Sequence, residues 1–402
     1  MELKHLKELL VPYLNSNRKT FVSYKCRRLL EEGENYGSIM LEVKINLLND
    51  KEEQETLKCV AKLVPTNSVI WNLFNIPRTF KKEAAIYNKI VPLLNKFIEE
   101  HEGEELDFFA KYLGSRISLN DCAKEVDADA VLVLENLSER GYINCNKYMG
   151  INLETTYLLL ENLAKLHATF IAFRLSNPAI FETIRPILIK DIHYNPTTAQ
   201  FNELVNSLIA AASKNGECLP LLPRMERALR NYKKPDQLTV REAFSSIIHG
   251  DLWTNNFMVK FDDGKPVEAV FLDFQLVHFN SIHHDIIFFL YMNPNLQVLQ
   301  EHLDKLIDYY YDVFIGTLKK LNCGTELFAY SNYIELFAEA AEELQFFHLL
   351  LVMGALYTVK SKVKDISKWT AENLVAKETR LHENYYKRLH FIIKDFAKRN
   401  WI

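Results

Sequence analysis

The sequence has neither an excess of positive charge nor a paired cysteine motif. Its 402 residues hold 48 Lys and Arg against 52 Asp and Glu, which gives a formal net charge of −4. Binding to nucleic acid needs basic residues that neutralise phosphates, so this balance argues against it, although a local basic patch stays possible. The six cysteines form no CxxC pair and indicate neither a zinc knuckle nor a disulfide framework. They are Cys26, Cys59, Cys122, Cys145, Cys218 and Cys323.

Long hydrophobic runs are also missing. The longest apolar stretch, FFHLLLVMGALYTV from Phe346, contains a histidine and is shorter than the roughly 20 residues that span a bilayer. The first residues, MELKHLKELLVPYL, are amphipathic and do not resemble a signal peptide. We therefore predict a cytoplasmic protein without a membrane span.

The chain is rich in residues that can form a core. Hydrophobic residues make up 48% of the sequence and charged residues 25%, which is typical of a globular protein. A length of 402 residues allows two or three ordinary domains, or one two-lobed enzyme with a cleft between its lobes. Length alone does not decide between these possibilities.

Alternating apolar residues predict a small antiparallel sheet near the start of the chain. Every second residue of 36–45 is apolar, the run LNDKEE supplies a turn, and LKCVAKLVP alternates again, so the pair predicts a hairpin. A helix is expected at about 78–94. The Val- and Leu-rich segment 128–137 predicts a further strand, and the polar stretch SERGY then ends this part of the chain.

Helical periodicity dominates the remainder. The run TTYLLLENLAKLHATFIAFR predicts a core helix, one hairpin interrupts at 257–275, and the chain after it is expected to be helical. The order of elements predicts an α+β fold with a ligand between two lobes. The expected parts are a small antiparallel β-sheet lobe with one helix at 1–134, a hinge at 135–142 and a large mainly helical lobe at 143–402.

The strongest chemical signal is the run IIHGDLWTNNFMV at 247–259, followed by VFLDFQ at 270–275. Phosphoryl transfer needs a carboxylate at the attacking hydroxyl and oxygen ligands for Mg²⁺ at the phosphates. Asp251 is the candidate base, and Asn256 and Asp273 are the candidate metal ligands. A single Asp in a loop more often caps a turn, but the spacing of all three groups is much rarer.

These two motifs resemble the catalytic and metal-binding loops of the aminoglycoside and choline phosphotransferases, which are relatives of protein kinases. The closer resemblance is to the insect ecdysteroid kinase-like family, through GENYGS, a Lys strand, ENL, LAKLHA, HGDLWTNN and LDFQ in this order. The resemblance covers most of the chain. It implies a two-lobed protein kinase-like fold that uses ATP and Mg²⁺.

A site of this kind also needs a lysine on a sheet strand to hold the phosphates, and a helix glutamate to hold that lysine. Lys62 in VAKL and Glu83 in FKKEAAIYNKI are the candidates. Val60 shares the strand face of Lys62 and would lie beneath the adenine. The alternative is a solvated lysine and an unrelated surface glutamate.

Two further segments are candidates for nucleotide contacts. Glycine is scarce, 12 in 402 residues, so the pair in GENYGS suggests that the Gly37 and Ser38 amides approach the phosphates, although a plain turn is equally open. The resemblance implies that main-chain groups of Glu135 and Leu137 meet the adenine. It also implies structural support of the catalytic loop by His249 and Asp285.

The histidines near this loop have an alternative interpretation. His278, His283, His284 and His249 could form a metal cluster, but they lack a helical i, i+4 pair and a Cys ligand, so zinc is disfavoured. A metal-dependent hydrolase would explain the acidic residues without explaining Lys62.

The acceptor is predicted to be a small molecule. Asp285 follows Asp273 by only twelve residues, too few for a peptide-docking segment, and Gly250 stands where an arginine would read an activating phosphate. The resemblance implies an ecdysteroid or another lipophilic alcohol. No obligate protein partner is evident from the sequence. Choline, an aminoglycoside, or a kinase fold that only binds ligand remain alternatives.

Overall fold

Alternating burial along the first strands produces an antiparallel sheet of five strands, in the order β1-β2-β3-β5-β4. The computed structural model describes residues 2–29, 38–189, 197–233, 237–238, 241–359 and 381–402. In β2 every second residue from Leu41 to Leu47 is buried, as the alternation predicted, and these residues pack against the short N-terminal helices. The strands are β1 Thr20–Arg28, β2 Ile39–Leu48, β3 Gln54–Leu63, β4 Tyr112–Arg116 and β5 Val131–Glu135.

A long, continuous helical segment packs against one face of this sheet. It consists of α4 Ile76–Ala85, a π-helical turn Ile86–Ile90 and α5 Val91–Glu99, which extends the predicted helix at both ends. Three short helices accompany it, whereas the fold predicted from the sequence has one helix in this lobe. These are α1 Leu6–Leu9, α2 Val11–Ser16 and α3 Ser68–Leu73.

The second part of the chain is mainly helical and surrounds α6, which is buried on nearly every side. Burial all round explains why α6 has apolar residues on several faces. Its helices are α6 Leu153–Ser176, α7 Pro178–Ile184, α8 Thr198–Ala212, α9 Leu222–Arg230, α10 His283–Met292, α11 Leu296–Lys320, α12 Tyr330–Ala340, α13 Phe346–Leu356 and α14 Asn384–Lys398.

Two small sheets lie at the junction between the two parts. One has the order β6-β8-β9 and contains the predicted hairpin, and the other pairs β7 with β10. Their strands are β6 Tyr142–Ile143, β7 Ser245–Ile248, β8 Phe257–Asp262, β9 Lys265–Phe271 and β10 His278–Ser281. The fold is thus α+β and follows the predicted kinase-like order, with an antiparallel sheet first and a helical lobe second.

Two of the contacts that join the two parts of the chain involve the main chain. The first is the segment after β5, where Leu137–Arg140 forms a 3-10 helix and Gly141 adopts the left-handed φ of 85° that a glycine allows. The second is a backbone hydrogen bond of 2.9 Å from the Phe271 N–H to the Phe108 carbonyl, beside a parallel bridge between Phe109 and Phe271. Within the described ranges, no helix is long and apolar enough to cross a membrane.

Candidate active site

The loop between β7 and β8 is folded back on itself by its own main chain. The Trp253 N–H donates to the Asp251 carbonyl at 3.0 Å, and the Asn256 N–H donates to the Trp253 carbonyl at 2.7 Å. The Asn256 side-chain Nδ2 then donates to the Asp251 carbonyl at 2.8 Å and to Asp251 Oδ2 at 3.0 Å. These hydrogen bonds hold the Asp251 carboxylate in place. Because they use Asn256 Nδ2, Asn256 Oδ1 is the side-chain atom that could coordinate a cation.

Asp273 lies beside this loop because the hairpin β8–β9 returns the chain. The Leu272 N–H donates to the Asn256 carbonyl at 2.8 Å, which brings the next residue to the same edge. Asp273 has a left-handed φ of 63°, a conformation that costs a non-glycine residue about 1–3 kcal/mol. Its side chain keeps 31% of its surface exposed.

Lys62 on β3 connects the sheet to both acidic groups. Its Nζ lies 2.7 Å from Glu83 Oε2 on α4 and 2.9 Å from Asp273 Oδ1. Burial alone would lower the pKa of Lys62, but the Asp273 and Glu83 carboxylates outweigh burial and raise it. The lysine therefore keeps its positive charge at the cleft.

Glu83 is almost completely enclosed behind Lys62. Burial raises the pKa of its carboxyl above the usual range, and the Lys62 ammonium opposes this shift only in part. The main-chain N–H of Phe274 also donates to this carboxylate. Glu83 thus connects helix α4 to the sheet lysine and to the chain just after Asp273.

The half-buried carboxyl of Asp251 has an unusual environment. Burial first, and the neighbouring Asp273 carboxylate second, raise its pKa well above the usual range, although hydrogen bonds from Trp253 and Asn256 oppose the shift. A carboxylate whose proton affinity is raised in this way is a better general base.

Asp285 supports the loop from below, with almost none of its surface exposed. It accepts the His249 N–H at 2.6 Å, the Gly250 N–H at 2.8 Å and His167 Nε2 at 3.3 Å. Burial by itself would raise the pKa of Asp285, but the His167 hydrogen bond and charge, with lesser contributions from His249 and Gly250, outweigh burial and lower it. Asp285 thus lies against two amides of this loop, and its role as a structural support stays a prediction.

His249 is a fully buried packing residue. Its Nδ1 accepts the Asp251 N–H at 3.3 Å, so Nε2 carries the proton and donates to the Leu272 carbonyl at 2.9 Å. Burial lowers the pKa of the imidazole, which keeps it neutral. Its ring packs on Phe274 with centroids 5.0 Å apart.

The other histidines near the loop have separate protein partners. His283 meets the Ser281 hydroxyl and the Tyr333 carbonyl, each at 2.8 Å, while His284 Nδ1 lies 3.2 Å from the Gln345 amide nitrogen. In the part of the chain that the structure describes, no three His, Cys, Asp or Glu residues are arranged to hold a metal ion. The zinc alternative therefore gains no support.

The remaining predicted nucleotide contacts are only partly brought to the cleft. Val60 is half-buried on the strand face of Lys62, and Ser38 is buried just before β2. Gly37 lies outside the described residues. The Glu135 N–H already donates to the Lys111 carbonyl at 3.0 Å, so a nucleotide contact at Glu135 would have to use its carbonyl. Leu137 is buried at the start of the connecting 3-10 helix.

Two residues of this region were not singled out from the sequence, and Gly250 was noted only because it stands where an arginine would read an activating phosphate. Gly250 has a φ of 77°, and a Cβ there would lie 2.9 Å from the Leu276 carbonyl, so no other residue fits without movement. His167 lay within the LAKLHA motif, which could have pointed to it. Asn293, which contacts the catalytic loop from the end of α10, belongs to no quoted motif.

The donor atoms at the cleft suit a hard cation. Asn256 Oδ1 and the Asp273 carboxylate are oxygen ligands, and Mg²⁺ is commonly held by one or two such groups together with substrate phosphates. These two residues could therefore hold Mg²⁺ without a larger protein cage.

The antiparallel sheet, the helical lobe and the charged groups between them have the arrangement of a kinase-like fold, and the family match places the chain among kinase-like small-molecule phosphotransferases. Residues 32–323 match the sequence model of the ecdysteroid kinase-like family, and the chain belongs to this family. The family predicted from the motifs is thereby confirmed. No curated protein sequence matches the chain.

Two solved structures illustrate the similarity of shape. The choline kinase LicA from Streptococcus pneumoniae has 10% identity, covers 98% of this chain and 100% of its own, and gives a TM-score of 0.38. The GDP complex of wild-type aminoglycoside 2'-phosphotransferase-IIIa has 12% identity, covers 100% of both chains and gives a TM-score of 0.38. Likenesses of this size carry no argument about substrate or mechanism.

Proposed function

We propose that the protein transfers the γ-phosphoryl group of ATP to a hydroxyl of a small lipophilic alcohol, an ecdysteroid or a related sterol or xenobiotic. The observation that carries the proposal is the meeting of Lys62 with Glu83 and Asp273 in the same cleft as Asp251 and Asn256. A cytoplasmic location and a use in hormone inactivation or detoxification are parts of the same proposal.

Each residue then has one task. Lys62 holds the α- and β-phosphates, Glu83 keeps Lys62 in place, and Asn256 and Asp273 hold Mg²⁺. Bound Mg²⁺ would neutralise charge on the phosphates. The acceptor oxygen forms a bond to the γ-phosphorus while the bond from that phosphorus to the bridging oxygen of ADP breaks. The proton of the acceptor hydroxyl moves to the Asp251 carboxylate.

The segment between Asp273 and Asp285 supports the proposal that the acceptor is a small molecule. After Asp273 the chain forms a 3-10 helix at Phe274–Leu276 and then β10, which pairs with β7. Three of the four β10 residues are buried. This segment is therefore occupied by packing and gives no free loop on which a peptide substrate could dock.

Mass spectrometry of reaction products tests the proposal. Purified protein with ATP and Mg²⁺ is incubated with ecdysteroids, other sterols, plant phenolics, choline, an aminoglycoside and buffer alone, in parallel with Asp251→Asn. We expect one added phosphate on a lipophilic alcohol with the wild type, and an initial rate lower by a factor on the order of 10² or more with Asp251→Asn.

Other outcomes separate the alternatives. Phosphorylation of choline or the aminoglycoside would replace the lipophilic acceptor with a polar one. Phosphate release without an acceptor would favour a hydrolase. Nucleotide binding without any product would favour a ligand-binding protein, and absence of nucleotide binding would overturn the kinase reading altogether.

A further inference from the structure

Asn293, which follows the last residue of α10, contacts the catalytic loop through its side chain. The residue is completely buried. Its Nδ2 donates to the Leu252 carbonyl at 2.8 Å and to the Phe289 carbonyl at 3.0 Å, and its Oδ1 accepts the Thr254 hydroxyl at 3.2 Å. Both amide protons are therefore used, one on the loop and one on the helix.

These contacts bracket the candidate base. Leu252 directly follows Asp251, and Thr254 begins the 3-10 helix that ends at Asn256. The loop is thus held from two directions. Asp285 binds the amides that precede Asp251, and Asn293 binds a carbonyl and a hydroxyl that follow it. A side chain fixed on both flanks has little freedom to leave its position.

Asn293 itself is held by its main chain. The Ile151 N–H donates to the Asn293 carbonyl at 2.9 Å. The preceding residue, Gly150, has a φ of 76°, and a Cβ there would lie 2.8 Å from the same carbonyl. A glycine is therefore required for this close approach of two backbones.

The C-terminal helix α14 fixes the turn around Asn293. The fully buried Arg388 donates to the Tyr291 carbonyl at 2.8 Å and to the Pro294 carbonyl at 2.5 Å, while its Nε donates to the Tyr357 hydroxyl at 2.8 Å. A guanidinium presents donors in a rigid planar fork, so it can hold two carbonyls at a fixed separation. Arg388 lies beyond the span that matches the family.

We propose that Asn293 is a positioning residue for the phosphoryl transfer, and that Arg388 holds it in place from α14. The inference rests on the proposed function, because the loop that Asn293 holds carries the candidate base. Misplacement of a reacting group by about 1 Å can cost on the order of 10²-fold in rate, which makes a residue of this kind measurable.

Two matched pairs of variants test the inference. Asn293→Ala removes both hydrogen bonds that the Asn293 side chain makes to the loop. Asn295→Ala is the control and removes only the N-cap of α11, where Asn295 Oδ1 accepts the Val298 N–H at 2.9 Å. Thr254→Val keeps the side-chain shape and loses the hydroxyl, whereas Thr254→Ser keeps it. We expect Asn293→Ala to lower kcat on the order of 10²-fold at an unchanged KM for ATP. Thr254→Val should lower it less, and Thr254→Ser and Asn295→Ala should stay near wild type.

Hydrogen exchange gives a second measurement that needs no activity. Peptides covering 250–258 should exchange faster in Asn293→Ala than in wild type or Asn295→Ala. The reason is that the hydrogen bond of 2.7 Å from the Asn256 N–H to the Trp253 carbonyl depends on the shape of the loop. Unchanged kcat together with unchanged exchange in this peptide would overturn the positioning role. Faster exchange in a protein that phosphorylates no acceptor would overturn the proposed function and leave the positioning of the loop supported.

Discussion

Two aspartates twelve residues apart are treated in opposite ways by the same fold. Asp273, at the cleft, keeps 31% of its side chain exposed, adopts a left-handed backbone and has Lys62 as its ion-pair partner. Asp285, beneath the loop, is buried and accepts two main-chain amides and a histidine. The Asp273 carboxylate can still bind a ligand, whereas the Asp285 carboxylate already accepts hydrogen bonds from the protein.

The difference indicates where stability and activity reside. An acidic group that must hold a ligand is left with lone pairs to offer, which costs stability in the empty protein. An acidic group that shapes a loop is satisfied by protein donors, so it stabilises the fold. Changes at the cleft should therefore affect activity most, and changes beneath the loop should affect the free energy of unfolding most.

The largest effect is expected at Asp273. Asp273→Ala should abolish Mg²⁺-dependent nucleotide binding, because it removes one of the two candidate metal ligands. Asp262→Ala, which removes an exposed carboxylate at the end of β8, is the control and should bind nucleotide like wild type. Calorimetric titration with an ATP analogue, with and without Mg²⁺, measures both. Equal binding by Asp273→Ala would mean that the metal lies elsewhere.

Asp251→Asn should separate activity from stability. We expect kcat to fall by a factor on the order of 10² or more, as when a positioned base is removed, with little change in ATP binding. The free energy of unfolding without ligand should stay equal or rise, since ionised Asp251 is disfavoured by burial and by Asp273. Single-turnover kinetics and urea unfolding at pH 7 check the two halves. Wild-type turnover would remove Asp251 from the mechanism.

Asp285→Asn should give the reverse result. An amide nitrogen would then face a loop N–H, so one buried donor loses its acceptor, and we expect a loss of about 1–3 kcal/mol in the free energy of unfolding. Urea unfolding beside Asp251→Asn measures the contrast directly. If Asp251→Asn and Asp285→Asn changed the free energy of unfolding in the same direction, the distinction between the aspartate in the cleft and the aspartate beneath the loop would be wrong.

The last effect is absent at neutral pH and develops only on acidification. Burial lowers the pKa of His283 to about 3, so between about pH 6.5 and 3 the unfolded chain binds a proton that the folded protein does not. This group should therefore cost about 1.4 kcal/mol of stability for each pH unit below 6.5. His283→Gln should be less stable at pH 8 and lose stability less steeply on acidification. Parallel slopes in urea unfolding at pH 4–8 would show that His283 is not responsible.

Sequence reasoning identified the parts of the fold whose burial alternates clearly. The hairpins β2–β3 and β8–β9 and the helix α6 were predicted from their apolar spacing. The edge strand β1 was missed because most of its residues are exposed, which removes the alternation. β4 is five residues long with a glycine, and β7 and β10 bury polar residues, so none carries a clean strand pattern.

At the site, sequence reasoning found the charged residues that lie within recognisable motifs. Lys62, Glu83 and Asp273 come together as expected, although their roles stay predictions. The supports of the loop were not all accessible in this way. Asn293 and Arg388 act through contacts 41 and 94 residues apart in sequence, and only the folded chain brings these partners together.

The Lys62–Asp273 ion pair is one of several contacts that join the two lobes. Others are the backbone hydrogen bond from Phe271 to Phe108 and the contact between the Phe97 and Phe173 rings, whose centroids lie 5.8 Å apart. The ion pair differs from these contacts because it lies in the cleft where a phosphate would bind. A phosphate that competes for Lys62 would remove this one contact, so nucleotide binding would weaken the attachment between the lobes at the place where the nucleotide enters.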